Sequence, residues 1–261
     1  MAHAIITGAS SGLGERFAYA LAGQKRNLVL IARREDRLRA VAARARQLGT
    51  EQVEIIAADL ARPGAALEIE ARLAQASIEV DHLINNAGFG TTGRFDRLPL
   101  EREIEQVELN VTALMVMTRL FLPAMLARGR GTIINVASTA AFQPIPYMAT
   151  YAATKAFVLS FTEAIASECA GTGVRILALC PGPVRTEFQA VARHENALMP
   201  SFAYLDPDTV VRQALAAVAR GRRVQINGLM NAAGALAARL FPRSLVTAIA
   251  GRIYRNAGST G

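Results

Sequence analysis

Residues 4–14 read AIITGASSGLG. The apolar, β-branched stretch 4–7 predicts a short strand, and the periodic apolar positions of 13–22 predict a helix behind it. Between strand and helix stand Gly8, Ser10, Ser11, Gly12, Leu13 and Gly14. Glycine has no Cβ, so the chain can turn tightly there and a ligand can lie against the backbone. The helix that follows offers free N–H groups and the positive end of its dipole, which together hold phosphate. The spacing is G-x-x-x-G-x-G rather than G-x-G-x-x-G, and its place between strand and helix is what gives such a cluster meaning.

Outward from this unit the same alternation continues. Candidate strands lie at 27–32, 53–57, 82–85, 132–137, 174–179 and 224–227, with helical patterns at 35–48, 65–76, 101–127, 151–170 and 207–219. Strand-helix alternation over the whole length implies an α/β fold with a parallel sheet covered by helices on both faces. No linker or repeat interrupts it, so 1–261 reads as one doubly wound domain.

Composition narrows the function classes. Of the 261 residues 52% are apolar, enough for a sizeable core. Cys169 and Cys180 form no disulfide framework, and neither they nor His3, His82 and His194 show metal-ligand spacing, so no metal is expected. The strand so near the start leaves no room for a targeting peptide. No charge-free apolar run is long enough to predict a spanning helix. A reducing cytoplasm fits these features. The net charge of +8 is confined to the C-terminal fifth: up to Asp208 basic and acidic residues balance, and beyond it there are eight arginines and no acid. Nucleic acid is not the expected partner, because interleaved aromatics and a recognition motif are missing.

Several strand ends carry polar signals. After the second come Arg33 and Arg34, which would accommodate the 2′-phosphate of NADP(H). Glu35 or Asp36 could instead accept from the ribose of NAD, although acids at the start of a helix also suit its dipole. Asp59 and Leu60 follow the third strand, where the carboxylate could meet adenine or cap a helix. Asn85-Asn86-Ala87-Gly88 follows the fourth, with asparagines suited to fixing the loop. Tyr151 and Lys155 are four apart, on one face of a helix. A neighbouring cation lowers a phenol's pKa, so the pair could act as a tuned acid and base. Alone, Tyr-x-x-x-Lys is a weak signal. Lys155 is nevertheless one of only two lysines among 29 basic residues, which points to a specific requirement.

Taken in order, Thr7-Gly8-x-x-x-Gly12-x-Gly14, Asn85 to Gly88, Asn110, Ser138, Tyr151-x-x-x-Lys155 and Pro181-Gly182 closely resemble the short-chain dehydrogenase/reductase family, from residue 4 to about residue 187. The resemblance implies a seven-stranded Rossmann-type sheet and nicotinamide-dependent oxidoreduction; with Arg33 and Arg34 favouring NADP(H), an NADP(H)-dependent enzyme acting on a ketone, aldehyde or alcohol is expected. It implies a catalytic tetrad of Asn110, Ser138, Tyr151 and Lys155. Tyr151 would exchange the proton, Lys155 would depress its pKa and hold the nicotinamide ribose, and Ser138 would hydrogen-bond the substrate oxygen. Pro181-Gly182 would carry the chain past the nicotinamide, with Val184 and Thr186 near its carboxamide. Asn110 lies inside a long helical pattern it disfavours, which suggests a local water site linking Lys155 to solvent.

The family also implies that residues 184–205 cover the substrate, with Phe188 inside. Phe89, Phe142 and Met148 flank the strand ends, so an apolar carbonyl compound is expected. The basic extension 207–261 ends in predicted helices at 229–240 and 244–255. The favoured reading has this pair closing the pocket or packing on a neighbouring subunit. Alternatives are weak contact with an anionic membrane surface or docking of an acidic carrier or thioester. The chain would then be a lipid or acyl-thioester ketoreductase; a non-catalytic NADP-binding regulator is the remaining alternative. By analogy with the family, a homodimer or homotetramer is expected.

Overall fold

The structure, a computed structural model, describes residues 2–185 and 204–255. Its strands are β1 (His3–Thr7), β2 (Asn27–Ala32), β3 (Val53–Ala57), β4 (Val80–Asn85), β5 (Gly131–Val136), β6 (Val174–Cys180) and β7 (Val224–Ile226). All pair in parallel, in the order β3-β2-β1-β4-β5-β6-β7. Strands buried on both faces read as unbroken apolar runs; Ile5, Ile6, Leu28, Val29, Leu30 and Ile31 have no exposed surface.

The helices divide between the two faces. On one, α1 (Gly12–Gly23), α2 (Glu35–Gln47) and α7 (Pro207–Ala219) pack Phe17, Leu38 and Val210 against Ile6, Leu30 and Leu179. On the other, α3 (Ala65–Gln75), α5 (Leu114–Ala127) and α6 (Ala149–Glu168) pack Ile69, Met117 and Ile165 against Ile5, Val29 and Ile133. Burying one such side chain contributes about 1.5–3 kcal/mol. Order reverses between β1 and β4, which opens a crevice at the carboxyl ends of the strands.

Two local features bear on that crevice. The helical pattern at 101–127 is α4 (Leu100–Val107) running into α5 through π-helical turns at Glu108–Ala113, and Asn110 sits in those turns. By length and composition alone the run Leu100–Ala127 could cross a bilayer, which the sequence did not predict. Within it Leu114, Met117, Phe121 and Met125 are buried against the sheet, while Leu100, Ile104, Val107 and Met115 are exposed. After β7 come α8 (Leu229–Leu240) and α9 (Arg243–Tyr254), which lie over the crevice. Most of the expected substrate loop, Thr186 and Phe188 included, falls outside the described residues; its base is held where Val184 bridges Leu205 and Leu205 N donates to Pro183 O at 2.8 Å.

Candidate active site

The glycine turn is built by close backbone packing. Gly8 has φ +64°, and a Cβ there would come within 2.8 Å of Asn86 Nδ2. A Cβ on Gly14 would collide with Gly8 O. Thr7 Oγ1 accepts from the N–H groups of Asn86 and Ala87 at 2.9 and 3.0 Å, and Asn86 Nδ2 donates to Thr7 O and Gly8 O at 3.0 and 3.3 Å. The asparagine thus ties the end of β4 to the turn after β1.

A cavity of about 640 Å³ starts at this turn. Its wall passes Gly8, Ser10, Ser11, Gly12 and Leu13, then Arg33, Arg34, Asp59 and Leu60, then Asn86, Ala87 and Gly88. Gly14 stands behind the wall as packing. Arg34 Nη2 donates to Ser10 Oγ and Ser11 Oγ at 3.3 and 3.0 Å, which brings a guanidinium onto the glycine turn. Arg33 pairs with Glu105 at 3.0 Å and lies 3.9 Å from Asp59. Asp59 Oδ1 accepts from Ala61 N at 3.0 Å, so it also caps its own turn. The rival acids do not line the cavity, and Glu35 pairs with Arg39 at 2.6 Å.

At the far end the cavity meets Val136, Ser138, Tyr151, Lys155, Pro181, Gly182 and Val184. Tyr151 and Lys155 are 8% and 5% exposed, both on α6, with Nζ 5.8 Å from the phenol ring centre. Lys155 Nζ donates to Val136 O at 2.8 Å. Ser138 begins the turn after β5; its Oγ accepts from Ala140 N at 3.1 Å and is hydrogen-bonded to the Tyr151 side chain. Asn110 Nδ2 donates to Phe89 O at 2.9 Å and to Thr154 Oγ1 at 3.1 Å, while its Oδ1 accepts from Phe89 N at 3.1 Å. With both Nδ2 hydrogens donated and Oδ1 accepting once, that amide fastens the loop after β4 to α6. A Cβ on Gly88 would stand 2.7 Å from Asn110 Oδ1 and 3.5 Å from Lys155 Nζ, so the three groups converge there.

Electrostatics depart from the sequence expectation in one respect. Burial pushes the Tyr151 phenol up to about 12, opposed by the Ser138 hydrogen bond and reinforced by nearby Tyr254. Burial also pulls the Lys155 ammonium down to about 8. Desolvation of each group therefore outweighs the depression of Tyr151 expected from the lysine. The phenol is protonated at neutral pH and can give a proton. Lys155 titrates close enough to neutrality to pass one on.

Phe89, Phe142 and Met148 all reach the cavity, as the sequence suggested. Tyr254, Met230, Asn231, Gly234 and Ala235 of the C-terminal helices reach it too, and the sequence did not mark them. Tyr254 packs on the cluster of Ala140, Ile145, Met148 and Tyr151. Asn231 Nδ2 donates to Asn227 O at 2.8 Å, and a Cβ on Gly182 would strike the Asn231 amide. Buried Glu103 was missed as well; it accepts from Thr91 Oγ1 and from Thr150 Oγ1, the residue before Tyr151.

The family model for short chain dehydrogenase matches residues 2–197. The chain belongs to the short-chain dehydrogenase family. It is thereby an oxidoreductase, and its seven-stranded sheet is the Rossmann-type fold of that family. It is 31% identical over 235 residues to a very-long-chain 3-oxoacyl-CoA reductase of Anas platyrhynchos, covering 88% of this chain and 72% of that protein. A short-chain dehydrogenase from Sphingobium yanoikuyae solved in complex with NADPH superposes with a TM-score of 0.83 at 34% identity, covering 94% and 95% of the two chains. The bulky-bulky ketone specific alcohol dehydrogenase from Comamonas testosteroni gives 0.78 at 30%, with 92% of each chain covered.

Proposed function

We propose that this dehydrogenase is an NADP(H)-dependent reductase of apolar ketones or aldehydes. One observation carries the reading. A single cavity begins at a glycine turn bearing a guanidinium and ends at a buried, protonated phenol beside a lysine.

The chain fits the cofactor on its own terms. Side chains at Gly8 and Gly14 would break the close backbone packing that shapes the cradle, the N-terminus of α1 faces it, and two arginines stand at the end of β2. NADPH, when bound, supplies a hydride to the carbonyl carbon. The chain's residues do the rest. Arg34, with Arg33 beside it, holds the 2′-phosphate; Ser10 to Leu13 hold the pyrophosphate; Asp59 and Leu60 flank the adenine; Asn86, Ala87 and Gly88 form the floor. Pro181, Gly182 and Val184 bound the far end, and Thr186 is assigned there by the family resemblance alone. Ser138 orients the substrate oxygen, as an oxyanion donor does. Tyr151 gives that oxygen its proton as the C=O π bond breaks, and Lys155 restores the phenol's proton. Asn110 holds Gly88 and α6 in register. Phe89, Phe142 and Met148 shape the substrate site; Phe188 is assigned to it on resemblance.

Long-chain acyl thioesters are a second substrate class, favoured by the arginine-rich C-terminal helices and by the name of the duck relative. Exposed Leu100, Ile104, Val107, Met115 and Phe157 on α4, α5 and α6 support pairing of the long helices in a homodimer or homotetramer. Free, buried Cys169 and Cys180 suit a reducing cytoplasm.

Tyr151→Phe tests the reading. With NADPH and a panel of apolar ketones, aldehydes and acyl thioesters, turnover should fall about 10²–10⁴-fold, as for loss of a general acid. NADPH binding, read by fluorescence titration, should persist. Unchanged turnover of every accepted substrate would remove Tyr151 from the chemistry, whereas a wild type that binds NADPH and turns over nothing in the panel would favour a regulatory nucleotide-binding role.

A further inference from the structure

The helices α8 and α9 have two faces. Inward, Ala235 and Ala250 are buried, and Gly251 lies under Pro146, whose ring a Cβ there would approach to 3.2 Å. Outward, large apolar residues stand in water: Leu229 is 92% exposed, Met230 75%, Leu240 74% and Ile253 57%. On α8, positions 229, 233, 236 and 240 follow helical spacing along one side; on α9, 245, 249 and 253 do the same. Exposed Phe241 joins the two rows.

Cations interrupt this surface. Arg243 and Arg252 lie on α9 and Arg255 just after it, while the Arg239 guanidinium of α8 sits 5.6 Å over the Phe142 ring; no acidic residue follows Asp208. Among the described residues no carboxylate pairs with Arg243, Arg252 or Arg255. Apolar residues on one side with arginines around them are the pattern of helices that lie in the plane of a bilayer interface. A second copy of this chain fits badly, because a two-fold contact through this face would set arginine against arginine. An anionic surface supplies the missing charge.

The patch is also continuous with the active-site cavity. Met230 and Ile253 belong to both, being largely exposed yet lining the cavity mouth. We propose that α8 and α9 dock the enzyme on an anionic phospholipid bilayer with the cavity mouth facing the lipid, so that apolar carbonyl substrates enter from the membrane. The direction of entry rests on the reductase reading given above; the docking does not.

Co-sedimentation of the full chain with vesicles tests it. Vesicles with equal parts phosphatidylcholine and phosphatidylglycerol should pellet the protein, pure phosphatidylcholine vesicles should pellet far less, and about 0.5 M salt should release it. Leu240→Glu, and separately Arg243→Glu with Arg252→Glu, change exposed side chains outside the cavity. Each should lower vesicle partitioning at least about tenfold and leave turnover of a short, water-soluble ketone unchanged. Turnover of a long-chain ketone carried in the anionic vesicles should fall in step with partitioning. Absence of pelleting with anionic vesicles at low salt overturns the docking, as does equal pelleting of wild type and both variants. Dimerisation through this face, lost in Leu240→Glu and without vesicle binding, overturns it too. Docking with vesicle-borne turnover that is indifferent to these variants overturns entry from the lipid. A wild type that turns over no soluble carbonyl refutes the reductase reading instead, while sedimentation still decides the docking.

Discussion

Lys155→Met should separate what this lysine does for the fold from what it does for the chemistry. Burial pulls its pKa from 10.5 to about 8. A shift of that size corresponds to roughly 3 kcal/mol, the most that keeping the ammonium charged can cost the folded state. The sign follows from proton counting. Between about pH 8 and 10.5 the unfolded chain holds the lysine proton and the folded chain has released it, so stability rises with pH across that window. Below about pH 8 both states are protonated and the penalty is constant. Methionine is of similar length and neutral, so it removes the penalty. It also leaves Val136 O without its 2.8 Å donor, a loss of about 1–3 kcal/mol.

At about pH 7 the variant should therefore range from equal in stability to about 2 kcal/mol more stable, though inactive. The pH dependence is the sharper quantity, because the carbonyl term cancels from it. The stability difference between variant and wild type should shrink by roughly 2 kcal/mol from about pH 7 to about pH 9.5. Urea unfolding of both proteins without cofactor, at the two pH values, measures it. A difference constant within about half a kcal/mol would refute burial as the cause and mean that the ammonium keeps its water.

Two further substitutions probe the ends of the cavity. Arg34→Ala removes a guanidinium held on Ser10 and Ser11; NADPH affinity by titration should drop about 10–100-fold, the value of a charge-assisted contact, with NADH affinity little changed. Equal losses for both would dismiss the 2′-phosphate assignment. Gly182→Ala drives a Cβ into the Asn231 amide, so it should lower stability by about 1–3 kcal/mol through overpacking. Adding Asn231→Ala should recover most of that, and a double variant no better than the single would mean the contact is not the cause.

Much of this architecture was legible because each signal was local. A strand buried on both faces is an apolar run, and the turn after β1 must be glycine-rich where Gly14 packs on Gly8 O and Gly8 on Asn86. The order of Ser138, Tyr151 and Lys155 pointed to a candidate site just after β5 and on α6. Features set by distant packing were hidden. Nothing in ELNVTA distinguishes a π turn from an α-helix, although an asparagine amid apolar residues was a hint. Glu103 reads as a surface acid until Thr91 and Thr150 close over it. Asn231 and Tyr254 lie in Ala/Leu-rich helices whose periodicity gives an apolar face but not what that face covers. Asn231, a polar residue among apolar neighbours, was the one available cue.

The tyrosine and lysine also depart from the simplest picture in the direction of their shifts. If the lysine were well solvated and close, the phenol would be the shifted group and would tend toward phenolate. Here both are buried, and each resists its own charge. A phenol at about 12 holds its proton until a stronger demand arises. That demand is the negative charge growing on a carbonyl oxygen as its carbon is reduced, in the low-dielectric site where such charge is most costly. In the proposed relay Lys155, pulled down to about 8 by burial, would return the phenol's proton; its Nζ donates to Val136 O and stands 5.8 Å from the phenol ring centre. The C-terminal helices are part of this tuning, since Tyr254 packs on the cluster that contains Tyr151 and raises its pKa further. Closing the cavity with α8 and α9 therefore bears on the proposed chemistry as well as on the shape of the site: a buried phenol keeps its proton at neutral pH, and in the proposed reduction it would give that proton up only as charge grows on the carbonyl oxygen.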